Sequence, residues 1–207
     1  MITEKLLDNL RDKVSAVLSK KRFTHTLGVE CAARELGEYC LPVSVSELRA
    51  AALLHDIAKE LPSEELRAIM HRSGINFTDE DYKYEPLYHA FAAPSVIKER
   101  FSEFATDNVL SAVFYHTSAG VDMTLFDEII FIADFIEESR EYEACRKARQ
   151  NLLSALKRAK NINDKVFALH SSVLDVIDFT IKYLENKGKA VNSRMVLARK
   201  AIERKMI

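Results

Sequence analysis

A chain of 207 residues that is 48% apolar and 29% charged, with five glycines, four prolines and no tryptophan, has the profile of one soluble helical domain able to bury a core. Its formal net charge of -1 excludes a global field that recruits nucleic acid or an anionic membrane, so an anionic ligand must be drawn by a local positive site. No run approaches the roughly 20 apolar residues of a membrane span, the start Met1-Ile2-Thr3-Glu4-Lys5 lacks a leader's apolar core, and Cys31, Cys40 and Cys145 lack paired motif spacing, so a cytoplasmic protein with reduced thiols is expected.

From Ile2 to Leu18 the residues Leu6, Leu7, Leu10, Val14, Val17 and Leu18 recur at spacings of three and four, the stripe of an amphipathic helix. Lys20-Lys21 joins it to a second helix from about Arg22 to Tyr39, which ends ahead of Pro42. Ser44 followed three residues later by Glu47 predicts a capping box, opening a third helix through Ala50-Ala51-Ala52-Leu53-Leu54 to Lys59; it is the strongest start signal in the chain. Pro62-Ser63-Glu64-Glu65 opens a short helix toward His71, stopped by Gly74.

After a polar connector, Pro86 starts a helix through Phe101, Thr106 caps one ending near His116, and Thr124 caps one through Ile136. Long helices are expected from Glu141 to Lys160 and from Asn163 to Glu185, and a last one from about Asn192 to Arg204 after Lys187-Gly188-Lys189. No segment alternates with period two between turn pairs, so the fold class is all-α. The reading is a single domain over residues 1–207, with 1–19 as an N-terminal helix and about 150–207 as a helical cap.

The chemistry starts from His55-Asp56, a doublet at the end of the apolar run Ala50–Leu54. Burying an ionised aspartate beside an imidazole is costly unless something compensates the charge, and a cation does so best. A capped or salt-bridged pair is the plain alternative. The case gains weight because further donors lie on other predicted helices among apolar neighbours: His25, His89, His116 and Asp134. Each alone reads as a satisfied core residue; together they offer imidazoles and carboxylates from separate helices, which is how bundle interiors build metal sites. His71 lies in a polar amphipathic segment and His170 on a core-facing or boundary helix, and both take the structural reading. So does the run Glu137-Glu138-Ser139-Arg140-Glu141, a solvated helix end apart from Arg140.

These residues resemble the HD-domain metal-dependent phosphohydrolases, and within them the YqeK-type branch of symmetrical bis(5'-nucleosyl)-tetraphosphatases. The similar stretches are Arg22–Val29 (RFTHTLGV), Ala51–Lys59 (AALLHDIAK), Leu87–Ala90 (LYHA), Tyr115–Gly120 (YHTSAG), Ile132–Arg140 (IADFIEESR) and Thr180–Lys189 (TIKYLENKGK), spanning about Lys20 to Arg204. The family commonly has Pro where Glu138 stands and varies around Thr-Thr-Gly where this chain has Thr117-Ser118-Ala119-Gly120. The resemblance implies an HD-type helical bundle whose His25, His55, Asp56, His89, His116 and Asp134 hold two divalent ions. Iron is the family's usual metal, and the sulfur-free donor set equally suits Mn, Co, Zn or Mg.

On that footing the ions lower the pKa of bound water and clamp phosphate oxygens, so that hydroxide attacks diadenosine tetraphosphate and leaves two ADP. Two divalent ions outweigh two aspartates, which gives a near-neutral protein its local positive site. Asp56 is assigned as bridging carboxylate and Lys59 as its catalytic partner. Arg22, Lys59, Thr117 and Arg140 are assigned to the substrate, against a solvated lysine and surface ion pairs as alternatives. The expected partner is a dinucleoside polyphosphate, with no nucleic acid or membrane and a homodimer left open. Another HD-type nucleotidase or alarmone phosphohydrolase is the second reading. A non-catalytic nucleotide sensor is the third, and its mark would be a missing ligand.

Overall fold

The computed structural model describes residues 2–207; Met1, which the sequence reading includes in the N-terminal segment, lies outside them. Among the described residues the chain forms ten α-helices and no strand: α1 (Glu4–Ser15), α2 (Lys20–Cys40), α3 (Val45–Leu54), α4 (Ser63–Arg72), α5 (Tyr88–Arg100), α6 (Asp107–Tyr115), α7 (Leu125–Ile136), α8 (Glu143–Arg158), α9 (Ile162–Asn186) and α10 (Ser193–Lys205). No described helix is long and apolar enough to cross a membrane, and all three cysteines are free thiols.

Local chemistry accounts for most boundaries. Thr3, Ser19, Thr106, Thr124, Asn161 and Asn192 each accept a backbone N–H of the first turn they precede, a cap worth ~1 kcal/mol. The expected capping box at Ser44 does not form: its side chain makes no cap bond, and Glu47 instead accepts from Thr106 and Asn108 at the start of α6. The box stands at Thr124 and Asp127, where side chain and backbone bond reciprocally. Pro86 sits in a single 3-10 turn, Glu85–Leu87, and α5 begins only at Tyr88.

The third helix also ends earlier than expected, at Leu54 rather than Lys59. From there the backbone tightens into i to i−3 bonds, Ile57 N–H to the Leu54 carbonyl and Lys59 N–H to that of Asp56. The doublet therefore lies on turns just past a helix end, which brings both side chains to the same interior point.

Helices α3 and α7 form the centre. Leu48, Leu53, Leu54, Ile129, Ile130 and Ile132 are fully buried, each contributing roughly 1.5–3 kcal/mol by leaving water. Around them α3 packs against α1, α2, α6 and α7, and α7 against α2, α6, α8 and α9. The α8–α9 pair thus lies over α7, and α10 over α9. Buried polar groups clamp this layer. Glu128 of α7, wholly buried, accepts from His170 Nδ1 of α9 and Lys205 Nζ of α10. Asp81, also buried, takes two bonds from Arg194 at 2.7 and 2.8 Å and two from Thr78.

Candidate metal centre

All six proposed ligands converge, although they come from five helices or their ends. His25 lies early in α2, His55 and Asp56 just past α3, His89 at the second residue of α5, His116 just past α6, and Asp134 in the last turn of α7. His55 and His116 repeat one local device. Each is the C-cap of its helix, and its Nδ1 donates at 2.7 Å to the carbonyl three residues back, Ala52 or Val113. The bond satisfies a carbonyl that helix termination would orphan and leaves each Nε2 lone pair aimed at the centre. Both helices also point their negative C-terminal ends there, which favours a cation.

The donors lie close together. His25 Nε2 is 3.0 Å from Asp134 Oδ1, and Asp56 presents Oδ2 to His55 Nε2 at 3.5 Å and Oδ1 to His89 and His116 Nε2 at 3.4 and 3.5 Å. Two triads, His25/His55/Asp134 and His55/Asp56/His116, each have ligand atoms mutually within 4.8 Å. His89 belongs to neither, but its Nε2 is 3.2 Å from that of His116. Buried Nε2 atoms of His25 and His55 have no hydrogen-bond partner. An unpaired buried imidazole nitrogen is costly, and a cation is what this donor set fits.

The directions for Asp56 and His89 agree with that fit, whereas His25 is held protonated by its two carboxylates and must release a proton to bind a cation. Burial pushes the Asp56 carboxyl up, but the imidazoles of His55 and His116 outweigh it and hold it well below the usual carboxylate range. Burial, then the neighbouring His116 and Lys59, keeps His89 neutral, far below an ordinary histidine. For His25 burial acts downward, and the Asp134 and Glu137 carboxylates overcome it to raise the ring to about 9.

The residues assigned to the substrate border this centre. Arg22 donates to Asp56 Oδ2 at 2.7 Å and Arg140 to Asp134 Oδ1. Thr117 Oγ1 lies 3.2 Å from His89 Nε2, and Lys59 Nζ lies 3.0 Å from the same atom. Arg22, His25 and Arg140 line a cleft of about 680 Å³ on one side of the centre. Lys59 and His89 line a smaller opening of about 250 Å³. His71 and His170 lie elsewhere, His71 stacked on Tyr82 and His170 on Glu128.

One residue corrects the sequence reading. Glu137, expected in a solvated helix end, is 1% exposed and bonds His25 Nδ1 at 3.1 Å while accepting from Ser139 N–H and Oγ. Arg149 of α8 holds the backbone there by donating to the Ile136 and Glu137 carbonyls. Space for the carboxylate comes from Gly28, one turn after His25, where a Cβ would collide with it. No local signal marked it: Glu137 is the C-cap just past α7, and its burial depends on a turn of α2 that is distant in the sequence.

The HD domain family model matches residues 22–138, a span that runs from Arg22 to just past Glu137 and contains every converging donor. The chain belongs to the HD-domain family. Relatives of this HD domain include two proteins named bis(5'-nucleosyl)-tetraphosphatase, symmetrical. That of Bacillus subtilis is 32% identical over 137 residues, 66% of this chain and 72% of the relative. That of Halalkalibacterium halodurans is 30% identical over 166 residues, 80% and 82% respectively. A crystal structure of a predicted HD superfamily hydrolase involved in NAD metabolism, from Clostridium acetobutylicum, superposes with a TM-score of 0.81 at 29% identity, covering 96% of this chain and 97% of that one.

Proposed function

We propose that this HD domain is a cytoplasmic hydrolase that splits diadenosine tetraphosphate symmetrically into two ADP, using two divalent cations held by His25, His55, Asp56, His89, His116 and Asp134. The observation that carries the reading is the convergence of six imidazole and carboxylate donors, two overlapping triads of which have ligand atoms within 4.8 Å of one another, beside a cleft flanked by Arg22 and Arg140. The relatives' printed activity supports the choice of substrate.

Bound divalent ions at such a centre supply Lewis acidity and a low pKa for coordinated water. Among the chain's own groups, Asp56 directs its two oxygens at different imidazoles and would serve as a ligand to the bound cations. Glu137 holds the His25 ring so that Nε2, not Nδ1, faces the centre. Lys59, its pKa lowered by burial, and the fork-shaped donors of Arg22 and Arg140 bring positive charge to a polyphosphate in the cleft. Thr117 adds a hydroxyl next to His89. All six proposed donors are present in the chain, which favours the hydrolase over the non-catalytic sensor.

Purified protein incubated with diadenosine tetraphosphate and iron(II) or manganese(II) should yield ADP as sole nucleotide product on anion-exchange chromatography. AMP with ATP would overturn symmetrical cleavage. A nucleotide panel in the same assay separates this activity from that of another HD nucleotidase.

A further inference from the structure

A cavity larger than the metal cleft lies elsewhere in the molecule. A groove of about 960 Å³ runs between α8 and α9, within the range of small-ligand sites. Its origin is legible in the residues: Ala144, Ala148, Ala155 and Ala159 of the α8 segment face Ala168 and Ser171 of α9 across it. Side chains this small cannot fill the space between two packed helices. Aromatic rings edge the gap they leave. Phe135 and Phe179 meet edge to face at 5.8 Å between centroids, and Tyr142, Phe167 and Phe179 are 78%, 52% and 43% exposed. That is a large apolar area to leave to water unless something flat covers it.

One end of this groove is joined to the metal centre. Tyr142 is the residue common to its lining and to the cleft of Arg22, His25 and Arg140. Phe135 directly follows the proposed ligand Asp134, and Tyr142 stands two residues after Arg140, a Cα separation of at most about 7 Å. A phosphate chain in the cleft therefore ends beside exposed aromatic faces. Polar groups, the exposed Asn151 and Asp175 among them, also line the groove, where they can address the edge of a heterocycle.

We infer that the α8–α9 groove seats a nucleobase of the substrate, stacked against Tyr142 and Phe179, while the attached phosphates lie in the neighbouring cleft. This rests on the hydrolase reading above and adds to it the element that recognises the nucleoside. The C-terminal layer then acts as a specificity surface as well as a cover for α7. Base–aromatic stacking tolerates any heterocycle, so preference for one base over another would come from polar lining groups such as Asn151 and Asp175.

The test compares ADP and inorganic pyrophosphate binding to the manganese-loaded full-length protein by titration calorimetry. Tyr142 and Phe179 are exposed enough for truncation to leave the fold intact, which thermal melting verifies. In Tyr142→Ala and in Phe179→Ala the preference for ADP over pyrophosphate should fall about tenfold, the loss of one stacked ring, and Tyr142→Phe should restore it. An unchanged preference in both alanine variants overturns the inference. So does a dimer, seen by sedimentation velocity, that Tyr142→Ala dissociates without altering the preference, because a second copy would then be the occupant. The product chromatogram of the wild type reads the hydrolase assignment separately: absence of ADP there, with the calorimetric shift intact, sinks the activity and not the base site.

Discussion

Two sets of buried polar residues in this molecule are built on opposite plans. Under the layer of α8–α10 the buried carboxylates close on partners: Glu128 is shared by His170 and Lys205, and Asp81 by Arg194 and Thr78. At the ends of α3, α6 and α7 the polar groups crowd together yet remain unfinished: the buried Nε2 of His55 has no hydrogen-bond partner, and that of His25 faces Asp134 Oδ1 at 3.0 Å without hydrogen-bond geometry. Histidine is buried in both places, so burial alone does not distinguish a ligand from a clamp. Completion of the bonding does. A closed network contributes stability, and an open one stores capacity for a cation.

The sharpest way to break this contrast is Asp56→Ala. Losing a carboxylate that faces three other donors should remove bound metal and lower turnover by more than the ~100-fold that marks loss of an outer-shell partner, with the helical circular dichroism retained. Elemental analysis and the ADP assay read both effects, and normal activity would remove Asp56 from the centre. Next in size is Glu137→Gln. It keeps the volume but weakens the orientation of His25, so metal affinity or activity should fall ~10–100-fold, read by metal titration; an unchanged affinity would make Glu137 a member of the closed class.

On the closed side the currency is stability. His170→Gln should leave metal content unaltered and cost about 1–3 kcal/mol in urea unfolding, because Glu128 is left wholly buried with one good partner fewer. Metal loss in that variant would erase the distinction between the two plans. The smallest effect is expected at Arg194→Met. Burial raises the Asp81 carboxyl, but the Arg194 and Thr78 bonds outweigh it and hold its pKa below that of an ordinary aspartate. A depressed acid stabilises the fold above its unfolded pKa and loses that contribution as pH falls through the folded value. The wild type should therefore exceed the variant by about 1 kcal/mol at neutral pH, given the partial exposure of the arginine. That gap should shrink below about pH 4, as equilibrium unfolding across pH would register.

The ten helices were readable because their signals are local: apolar spacing, caps and breakers each depend on a few neighbouring residues. The six donors were readable because they stand among apolar neighbours in five separate helical stretches, with His55 and Asp56 as one adjacent pair. What escaped the sequence depends on distant segments. The Ser44–Glu47 box gave way because Thr106 and Asn108 offered Glu47 better partners from α6. The third helix stops at Leu54 because the His55 ring folds back on Ala52. Glu137 sits in a run of charges that reads as solvated, and its burial depends on the turn of α2 that carries Gly28.

That glycine has a consequence for how the protein can vary. It contributes no ligand, no proton and no charge, yet the width of the notch it leaves limits how near α2 and the end of α7 can come. Mutational tolerance should accordingly be poor at a chemically inert position. A single methyl there would be transmitted through a carboxylate to the imidazole beyond it, like a shim pushed under a lens mount.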